Sequence, residues 1–270
     1  MTLIVGIVCR DTVVLGAESE TTRGPAKYQG TDKLHLIGFK GGGYAVVGES
    51  GSDHPAGVCI DALNRVAPLT PVHDEYTIPT AVETAFREAV KRGHGPKMGT
   101  RKCQEFHGQE DNFFQLLIGY YFKGIPFLYE FNSYFATARK CSRAFAANGV
   151  GRDLAEYILG PLDVAQMCCN EAVFSIIYAA GEVKTSVSGC GGPTQIAIVP
   201  PNSKPVKLTR ESLGLMESRA YGLRERLKAN LVEMKQNIRE AALAYVSNWR
   251  PFRAVGKNQS PQPGHKWRKP

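Results

Sequence analysis

The chain has 270 residues, with 33 Lys and Arg against 25 Asp and Glu, and a formal net charge of +8 at pH 7. This length is enough for one large domain with a substantial buried core. No apolar run approaches the roughly 18–20 residues of a membrane helix, and the first residues lack the pattern of a secretory signal. We therefore expect a cytoplasmic protein without a membrane partner.

The reactive residue types do not suggest a metal or a cofactor. Seven cysteines are scattered without CxxC spacing, which in a chain without a secretion signal predicts reduced thiols that mostly fill the core. The six histidines show no HxxxH spacing, and no glycine-rich stretch has the GK[ST] ending of a phosphate loop. We therefore expect no metal site and no cofactor.

The first part of the chain predicts strands followed by two helices. Apolar, β-branched runs are separated by turn residues or glycines, as in hairpins. These predicted strands span residues 2–9, 12–19, 33–38 and 41–51. Asp53 is the expected cap of the first helix, and a capping box of Thr80 and Glu83 is expected to begin the second. The polar residues 92–112 then predict a long surface loop.

The second part repeats the order of strands and then helices. The predicted elements are strands at 113–121, 125–132 and 144–151, helices at about 151–159 and 163–180, and a strand at 194–201. Because most strands follow one another directly, antiparallel pairing is favoured over crossover connections. Two facing sheets with a helix pair on each outer face satisfy this order. The predicted fold class is therefore α+β, a four-layer αββα sandwich over residues 2–208.

The C-terminal part has a different pattern. Apolar residues recur at three- and four-residue spacing among charged residues over 209–248, which predicts one long amphipathic helix. This helix either packs on its own domain or docks a neighbouring subunit. Residues 249–270 contain six basic residues, no acid and several prolines, so we expect a disordered basic tail. Such a tail contacts an acidic partner or only solubilises the chain, and nucleic acid is an unlikely partner.

Several pieces of the chain resemble proteasome β subunits, which are N-terminal-nucleophile hydrolases. In order over residues 2–210, they are TLIVGIVCRDTVVLGAESE, KLHLI, YAVVGESGS, FQLLIGYYFKGIPFLYEFN, ANGVGRD and GCGGPTQIAIV. The resemblance implies the αββα sandwich and identifies the chain as a divergent, bacterial- or archaeal-like member with a C-terminal extension. It also implies self-association into a ring, a polypeptide substrate and an ATPase or other regulatory cap.

The resemblance assigns catalytic roles to four residues. Thr2 falls on the nucleophile, and Glu18 on an acid that pairs with Lys33. Gly48 falls on the glycine whose N–H completes the oxyanion hole. Removal of Met1 would leave Thr2 with a hydroxyl and a free α-amine, whose pKa of about 8 suits it as the base. Lys33 would then favour the developing alkoxide, and an N–H donor such as that of Gly48 is typically worth about 10²–10³ in rate.

Other positions are expected to orient the terminal amine. By resemblance these are Gly149, Gly151, Ser186, Ser188 and Cys190. Val150 stands between the two glycines where the family usually has a serine, and Val187 stands where it usually has an aspartate. A valine can make neither hydrogen bond. Cys190 takes the place of a second serine, and Ser186 and Ser188 lie near enough to compensate in part.

Three functions are compatible with these residues. The favoured one is a threonine-type endopeptidase of a proteasome-like complex. The second is a catalytically weak or inactive structural ring subunit, which Val150 and Val187 favour. The third is an N-terminal-nucleophile amidase that acts on a small amide. Glu18 and Lys33 alone would also suit a structural ion pair, but the joint presence of Thr2, Glu18 and Lys33 argues against a pure scaffold.

Overall fold

The computed structural model describes residues 2–23, 26–28, 30–92, 113–201 and 203–248. For residues 21–23, 26–28 and parts of the last helix, the description covers the backbone alone. The chain divides into two compact units, residues 1–223 and 224–270. Nearly all of the predicted loop at 92–112 and the whole predicted tail at 249–270 lie outside the described residues, as does Met1.

Two five-stranded antiparallel sheets form the centre of the first unit. The strands are β1 Leu3–Val8, β2 Val13–Glu18, β3 Thr21–Arg23, β4 Ala26–Tyr28, β5 Leu34–Gly38, β6 Tyr44–Gly51, β7 Phe114–Phe122, β8 Ile125–Asn132, β9 Thr137–Lys140, β10 Phe145–Gly149, β11 Thr194–Val199 and β12 Val206–Lys207. The first sheet has the order β10-β1-β2-β11-β12, and the second has the order β5-β6-β7-β8-β9. Strands β3 and β4 form a separate two-stranded sheet within the described residues.

Helices cover the outer faces of both sheets. They are α1 Asp53–Val66, α2 Thr77–Lys91, α3 Arg152–Leu159, α4 Cys169–Ser186 and α5 Arg210–Asn248. One hydrophobic cluster lies between the second sheet and α1 and α2, another lies between the first sheet and α3, α4 and the start of α5, and a third lies between the sheets. The predicted α+β fold with four αββα layers is confirmed.

The almost continuous apolar sequence of β1 follows from its place in this stack. Leu3, Val5 and Ile7 belong to the cluster under the helices, whereas Ile4 belongs to the cluster between the sheets. Because successive side chains of a strand point to opposite faces, a strand buried on both faces needs apolar residues at every position. This burial fixes the register of β1, and with it the position of the residue that precedes the strand.

The starts of the first two helices differ from the prediction. Ser52 is the N-cap residue of α1, and Asp53 lies in its first turn. Helix α2 begins at Thr77 rather than around Thr80, because the Thr77 hydroxyl donates to Asp74 Oδ1 at 2.8 Å and ends the preceding turn. Glu83 is therefore inside the helix, where its carboxylate accepts the Ala138 N–H at 2.9 Å and ties α2 to β9.

The start of the fourth helix also lies later than predicted. Glu171 accepts the Cys168 N–H at 2.8 Å, which makes a capping box with Cys168 in the place usually held by Ser or Thr. The apolar pattern that begins at residue 163 continues through a short 3-10 turn, Val164–Gln166, before α4 begins at Cys169. Four short strands, β3, β4, β9 and β12, were not predicted either.

The last helix has 39 residues and belongs to both units. In its first turns, Leu213 and Ala220 are buried in the cluster that α3 and α4 share with the first sheet. In the second unit, Leu227 and Met234 are exposed, and Lys228 pairs with Glu225 at 3.1 Å. Within the described part of the chain, no helix is both long and apolar enough to cross a membrane. The division at residues 208 and 248 stays a prediction.

Candidate active site

Thr2 lies immediately before β1 and is only 1% exposed. Its hydroxyl makes a long hydrogen bond, donating to the Glu20 carbonyl at 3.5 Å. Strand β10 runs beside it, with Gly149 opposite Leu3. Gly149 has a φ of +93°, and a Cβ at this position would lie 1.8 Å from the Thr2 carbonyl oxygen. Only glycine allows β10 to approach the Thr2 backbone this closely.

Glu18 ends β2 and is fully buried. Its carboxylate accepts three backbone N–H groups, those of Leu3 at 3.1 Å and of Glu20 and Gly191 at 2.9 Å. Burial raises the pKa of Glu18 above its ordinary value, the three N–H groups act against that rise, and the charge of Glu20 adds to it. Glu18 therefore fixes the peptide group that follows Thr2 and joins it to the segment before β11.

Lys33 precedes β5 and is 2% exposed. Its Nζ lies 3.6 Å from Asp53 Oδ1 at the start of α1 and 4.0 Å from Glu49 Oε1 in β6. The expected ion pair between Lys33 and Glu18 is therefore wrong: among the described residues, the salt-bridge partners of Lys33 are Asp53 and Glu49. The physical reason is that backbone N–H groups already surround Glu18, while two carboxylates lie near Lys33.

Gly48 lies within β6, opposite Leu34 in β5 and Leu117 in β7. A Cβ here would lie 2.6 Å from Ile4 Cγ2, so the close contact between the sheets requires glycine. The next residue, Glu49, donates its N–H to the Lys33 carbonyl on the β5 side at 3.0 Å. Because N–H groups alternate along a strand, that of Gly48 points towards β7. Its role as an oxyanion donor stays a prediction.

The positions expected to orient the amine divide into two groups. Burial raises the pKa of the buried Cys190 thiol to about 11, the charge of Glu18 adds to this rise, and the nearby Gly151 N–H acts against it. Ser186 and Ser188 are instead exposed. Val150 is 48% exposed. The structure thus brings Gly149, Gly151 and Cys190 towards Thr2 and Glu18 and leaves both serines at the surface.

Sequence reasoning missed a polar cluster beside Glu18. Lys184 Nζ donates to Thr194 Oγ1 at 2.7 Å and lies 3.6 Å from Glu217 Oε1. The Thr194 hydroxyl in turn donates to Glu217 at 2.5 Å. Thr194 is the residue opposite Glu18 in the pairing of β2 and β11. The sequence signal was weak: Lys184 is a charged residue near the end of a largely apolar helix that also carries Glu171 and Glu182.

The polar partners of Lys33 were also missed. Glu49 lies in the apolar run YAVVGESG, and a buried acid in such a strand indicates a buried cation nearby. Gln195 accepts the Lys33 backbone N–H at 2.9 Å and donates to the Thr31 carbonyl at 2.8 Å, which ties β11 to the start of β5. Lys33 and Gln195 are 162 positions apart, so no local sequence pattern could have predicted their contact.

Comparison with solved structures finds the same fold in Anbu proteins. Anbu (ancestral beta-subunit) from Yersinia bercovieri is 16% identical, with a TM-score of 0.67 over 85% of this chain and 97% of that one. The helical assembly of the Anbu complex from Pseudomonas aeruginosa is 17% identical, with a TM-score of 0.69 over 87% of this chain and 96% of that one. An Anbu (Gly-1) mutant from Hyphomicrobium sp. strain MC1 is 17% identical, with a TM-score of 0.66 over 84% of this chain and 97% of that one. At this identity the likeness shows the fold alone.

The family assignment made from the sequence has to be corrected. No protein-family model matches the chain, and no curated protein matches it. The identification of the chain as a divergent member of the proteasome β-subunit family is therefore wrong as it was stated. What the comparisons support is a fold shared with Anbu proteins at 16–17% identity.

Proposed function

We propose that the chain is a threonine-type N-terminal-nucleophile hydrolase in a proteasome-like complex, and that it cleaves peptide bonds through Thr2 after removal of Met1. The observation that carries this proposal is the fixed backbone around Thr2. Glu18 holds the amide that follows Thr2, and Gly149 lies against its carbonyl. A threonine fixed in this way can present its hydroxyl and its freed α-amine to the same substrate carbonyl.

The proposed reaction uses Thr2 as both nucleophile and base. The α-amine accepts the hydroxyl proton while Oγ1 bonds to the substrate carbonyl carbon, and the protonated amine then gives a proton to the leaving amine as the peptide bond breaks. The resulting ester is hydrolysed by a water molecule that the same amine deprotonates. In this scheme Gly48 supplies an N–H to the oxyanion, which requires that N–H to turn away from β7, and Glu18 keeps the Thr2 backbone in place.

Lys33 stays in the proposed catalytic set, but with different partners. Asp53 and Glu49, not Glu18, offset its charge in this structure. Its proposed role, to favour the alkoxide that develops on Thr2, therefore requires the ammonium to turn from these carboxylates towards bound substrate. This change has to come from rotation of the Lys33 side chain, because the hydrogen bond to Gln195 holds the Lys33 backbone in place.

The assembly and location form part of the same proposal. The chain is proposed to self-associate, as a ring or an open helix, in the cytoplasm, with polypeptide as substrate and an ATPase or other regulatory cap as partner. The solved Pseudomonas aeruginosa neighbour, described as a helical assembly of a complex, supports self-association. Light scattering at micromolar concentration should give a multiple of the 29.5 kDa chain mass. A monomer would contradict this part.

A structural subunit with little or no activity is the second candidate. The pairing of Lys33 with Asp53 and Glu49 favours it, since the lysine is then occupied away from Glu18. The exposed Val150, in the position where the resemblance expects a serine, points the same way. This candidate differs from the hydrolase in one measurable property, the reactivity of Thr2.

Covalent labelling tests the hydrolase directly. The full chain is incubated with a peptide epoxyketone or a β-lactone, and its intact mass is measured before and after proteolytic mapping. The expected result is one adduct on Thr2, no adduct in Thr2→Ala, and N-terminal sequences that begin at Thr2. An unlabelled parental chain, or retention of Met1 in most molecules, would overturn the self-activated mechanism. Hydrolysis of small amides but not of peptides would favour the amidase.

A further inference from the structure

A second, partly buried lysine lies at the Glu18 end of the first sheet. Lys184 is in the last turns of α4, with a side chain 19% exposed, and its Nζ donates to Thr194 Oγ1 at 2.7 Å. Thr194 and Glu18 are directly opposite each other in the β2–β11 pairing. Residues opposite each other in antiparallel strands have Cα atoms about 4.5–5.5 Å apart. Lys184 is therefore anchored on the immediate neighbour of Glu18.

The last helix completes this cluster. Glu217 accepts the Thr194 hydroxyl at 2.5 Å and lies 3.6 Å from Lys184 Nζ. It stands between Leu213 and Ala220 at the spacing of one helix face, and both of those residues are buried. The packing of the first turns of α5 inside the first unit therefore fixes Glu217, and Glu217 in turn restricts where the Lys184 ammonium can lie.

We propose that Lys184 is a positioning residue for Glu18: its positive charge favours the ionised Glu18 carboxylate, which holds the Leu3 N–H beside Thr2. Only an ionised carboxylate is purely an acceptor, and Glu18 has three N–H groups to accept. A protonated Glu18 would turn one acceptor site into a donor that faces N–H groups. Lys184, rather than Lys33, is thus the cation that serves Glu18.

The charges around the two groups are consistent with this role. Burial lowers the pKa of Lys184, whereas Glu217 and Glu18 both raise it. On the other side, burial and the charge of Glu20 raise the pKa of Glu18, and the three N–H groups lower it. The charge of Glu18 favours the ammonium form of Lys184, and the proposal is the reciprocal effect, with Glu217 competing for the same lysine. The effect on Thr2 rests on the proposed function, but the effect on Glu18 does not.

The direct test is a carboxyl titration of the full chain by NMR with 13C-labelled glutamate. Subtraction of the Glu18→Gln spectrum assigns Glu18. Lys184→Met should move the Glu18 midpoint to higher pH, and Lys184→Arg should keep it near the parental value. Glu217→Gln removes a negative charge and should move the midpoint to lower pH. Simple loosening of the structure would move both variants in the same direction, and an unmoved midpoint in Lys184→Met would overturn the proposal.

Labelling rates then connect Lys184 to Thr2. Lys184→Met should slow adduct formation at Thr2 by about 10-fold, the lower end of what loss of an outer partner costs in metal sites. Its pH profile should shift with the Glu18 midpoint. Lys228→Met is the matched control, since Lys228 is an exposed lysine of α5 that pairs with Glu225, and it should label at the parental rate. Because Glu217 is 39% exposed, Glu217→Gln remains usable if Lys184→Met does not fold.

If the parental chain does not label, the proposed function fails, while the carboxyl titration still decides the role of Lys184. If the parental chain labels and Lys184→Met labels as fast, with an unmoved Glu18 midpoint, the role of Lys184 is wrong and the hydrolase stands. Parental labelling at an unchanged rate in Lys184→Met, together with a shifted midpoint, would overturn the connection from Lys184 to Thr2.

Discussion

Two buried charged residues, Glu18 and Lys33, show how differently one sandwich can hold a charge. Glu18 has backbone N–H partners from three separate segments, whereas Lys33 has side-chain carboxylates from β6 and α1. Backbone partners are present whatever the neighbouring sequence, so Glu18 mainly fixes the chain. The partners of Lys33 are two acidic side chains whose negative charges the lysine offsets. Loss of Glu18 should therefore disturb geometry, and loss of Lys33 should disturb charge balance.

The largest expected effect is on the Glu18 side, at the residue that Glu18 positions. Thr2→Ala should lower peptide hydrolysis by about 10³-fold or more, because removal of a nucleophile leaves only binding contributions to the rate. Among the described residues its hydroxyl makes one long hydrogen bond, so the melting temperature should stay close to the parental value. Thr2→Ser is the matched control and should retain activity. Hydrolysis by Thr2→Ala at the parental rate would exclude Thr2 as nucleophile.

The next largest effect should be on stability, at Lys33. Lys33→Met should lower the free energy of unfolding by about 3 kcal/mol, the lower end for a broken buried ion pair, because Glu49 and Asp53 lose the Lys33 ammonium while the His35 ring stays 3.6 Å from Glu49 Oε2. Denaturant titration measures the change, and addition of Glu49→Gln should restore part of it. Lys207→Met is the control. Lys207 pairs with Asp32 at the surface, where one ion pair contributes about 0–1 kcal/mol. An equal loss of unfolding free energy in both variants would show that the buried ion pairs of Lys33 stabilise the fold no more than a surface pair does.

The third prediction tests the backbone contacts around Thr2. Gly149→Ala should lower the free energy of unfolding by about 2 kcal/mol or more and slow labelling of Thr2, since its Cβ would overlap the Thr2 carbonyl. Gly124→Ala separates this clash from backbone strain. Gly124 also has a positive φ, +77°, but a Cβ there meets nothing within 4 Å. If both variants lose the same unfolding free energy and label at the same rate, the close contact of β10 with Thr2 contributes neither to stability nor to the reactivity of Thr2.

The contrast between the two charges also explains what the sequence could predict. The layers and most strands were predictable because burial on one or both faces leaves a periodic pattern, as in β1. The pairing of Lys33 was not, because Asp53 and Glu49 are partners through tertiary contact and carry no periodic signal. The same holds for Glu217 and Lys184, which α5 brings together across 33 positions of sequence. Patterns predict which face is buried, but not which charge meets which.

The smallest expected effect is a pH dependence that separates Glu18 from an exposed acid of opposite behaviour. Because the pKa of Glu18 is raised in the folded state, its contribution to stability is fully present below the ordinary value of 4.5 and is lost as pH rises through the folded value. As pH rises above 4.5, the parental chain should therefore lose stability relative to Glu18→Gln. Glu171 is the control, because the Cys168 N–H lowers its pKa.

For Glu171 the sign reverses: its contribution is present above the ordinary value and is lost as pH falls through the lowered one. Denaturant titrations at several pH values compare the parental chain, Glu18→Gln and Glu171→Gln. The Glu18 difference should be modest, since the three N–H bonds offset part of the burial. If the parental chain gains stability over Glu18→Gln as pH rises, the backbone N–H groups outweigh burial, and Glu18 is a fully ionised anchor throughout this range.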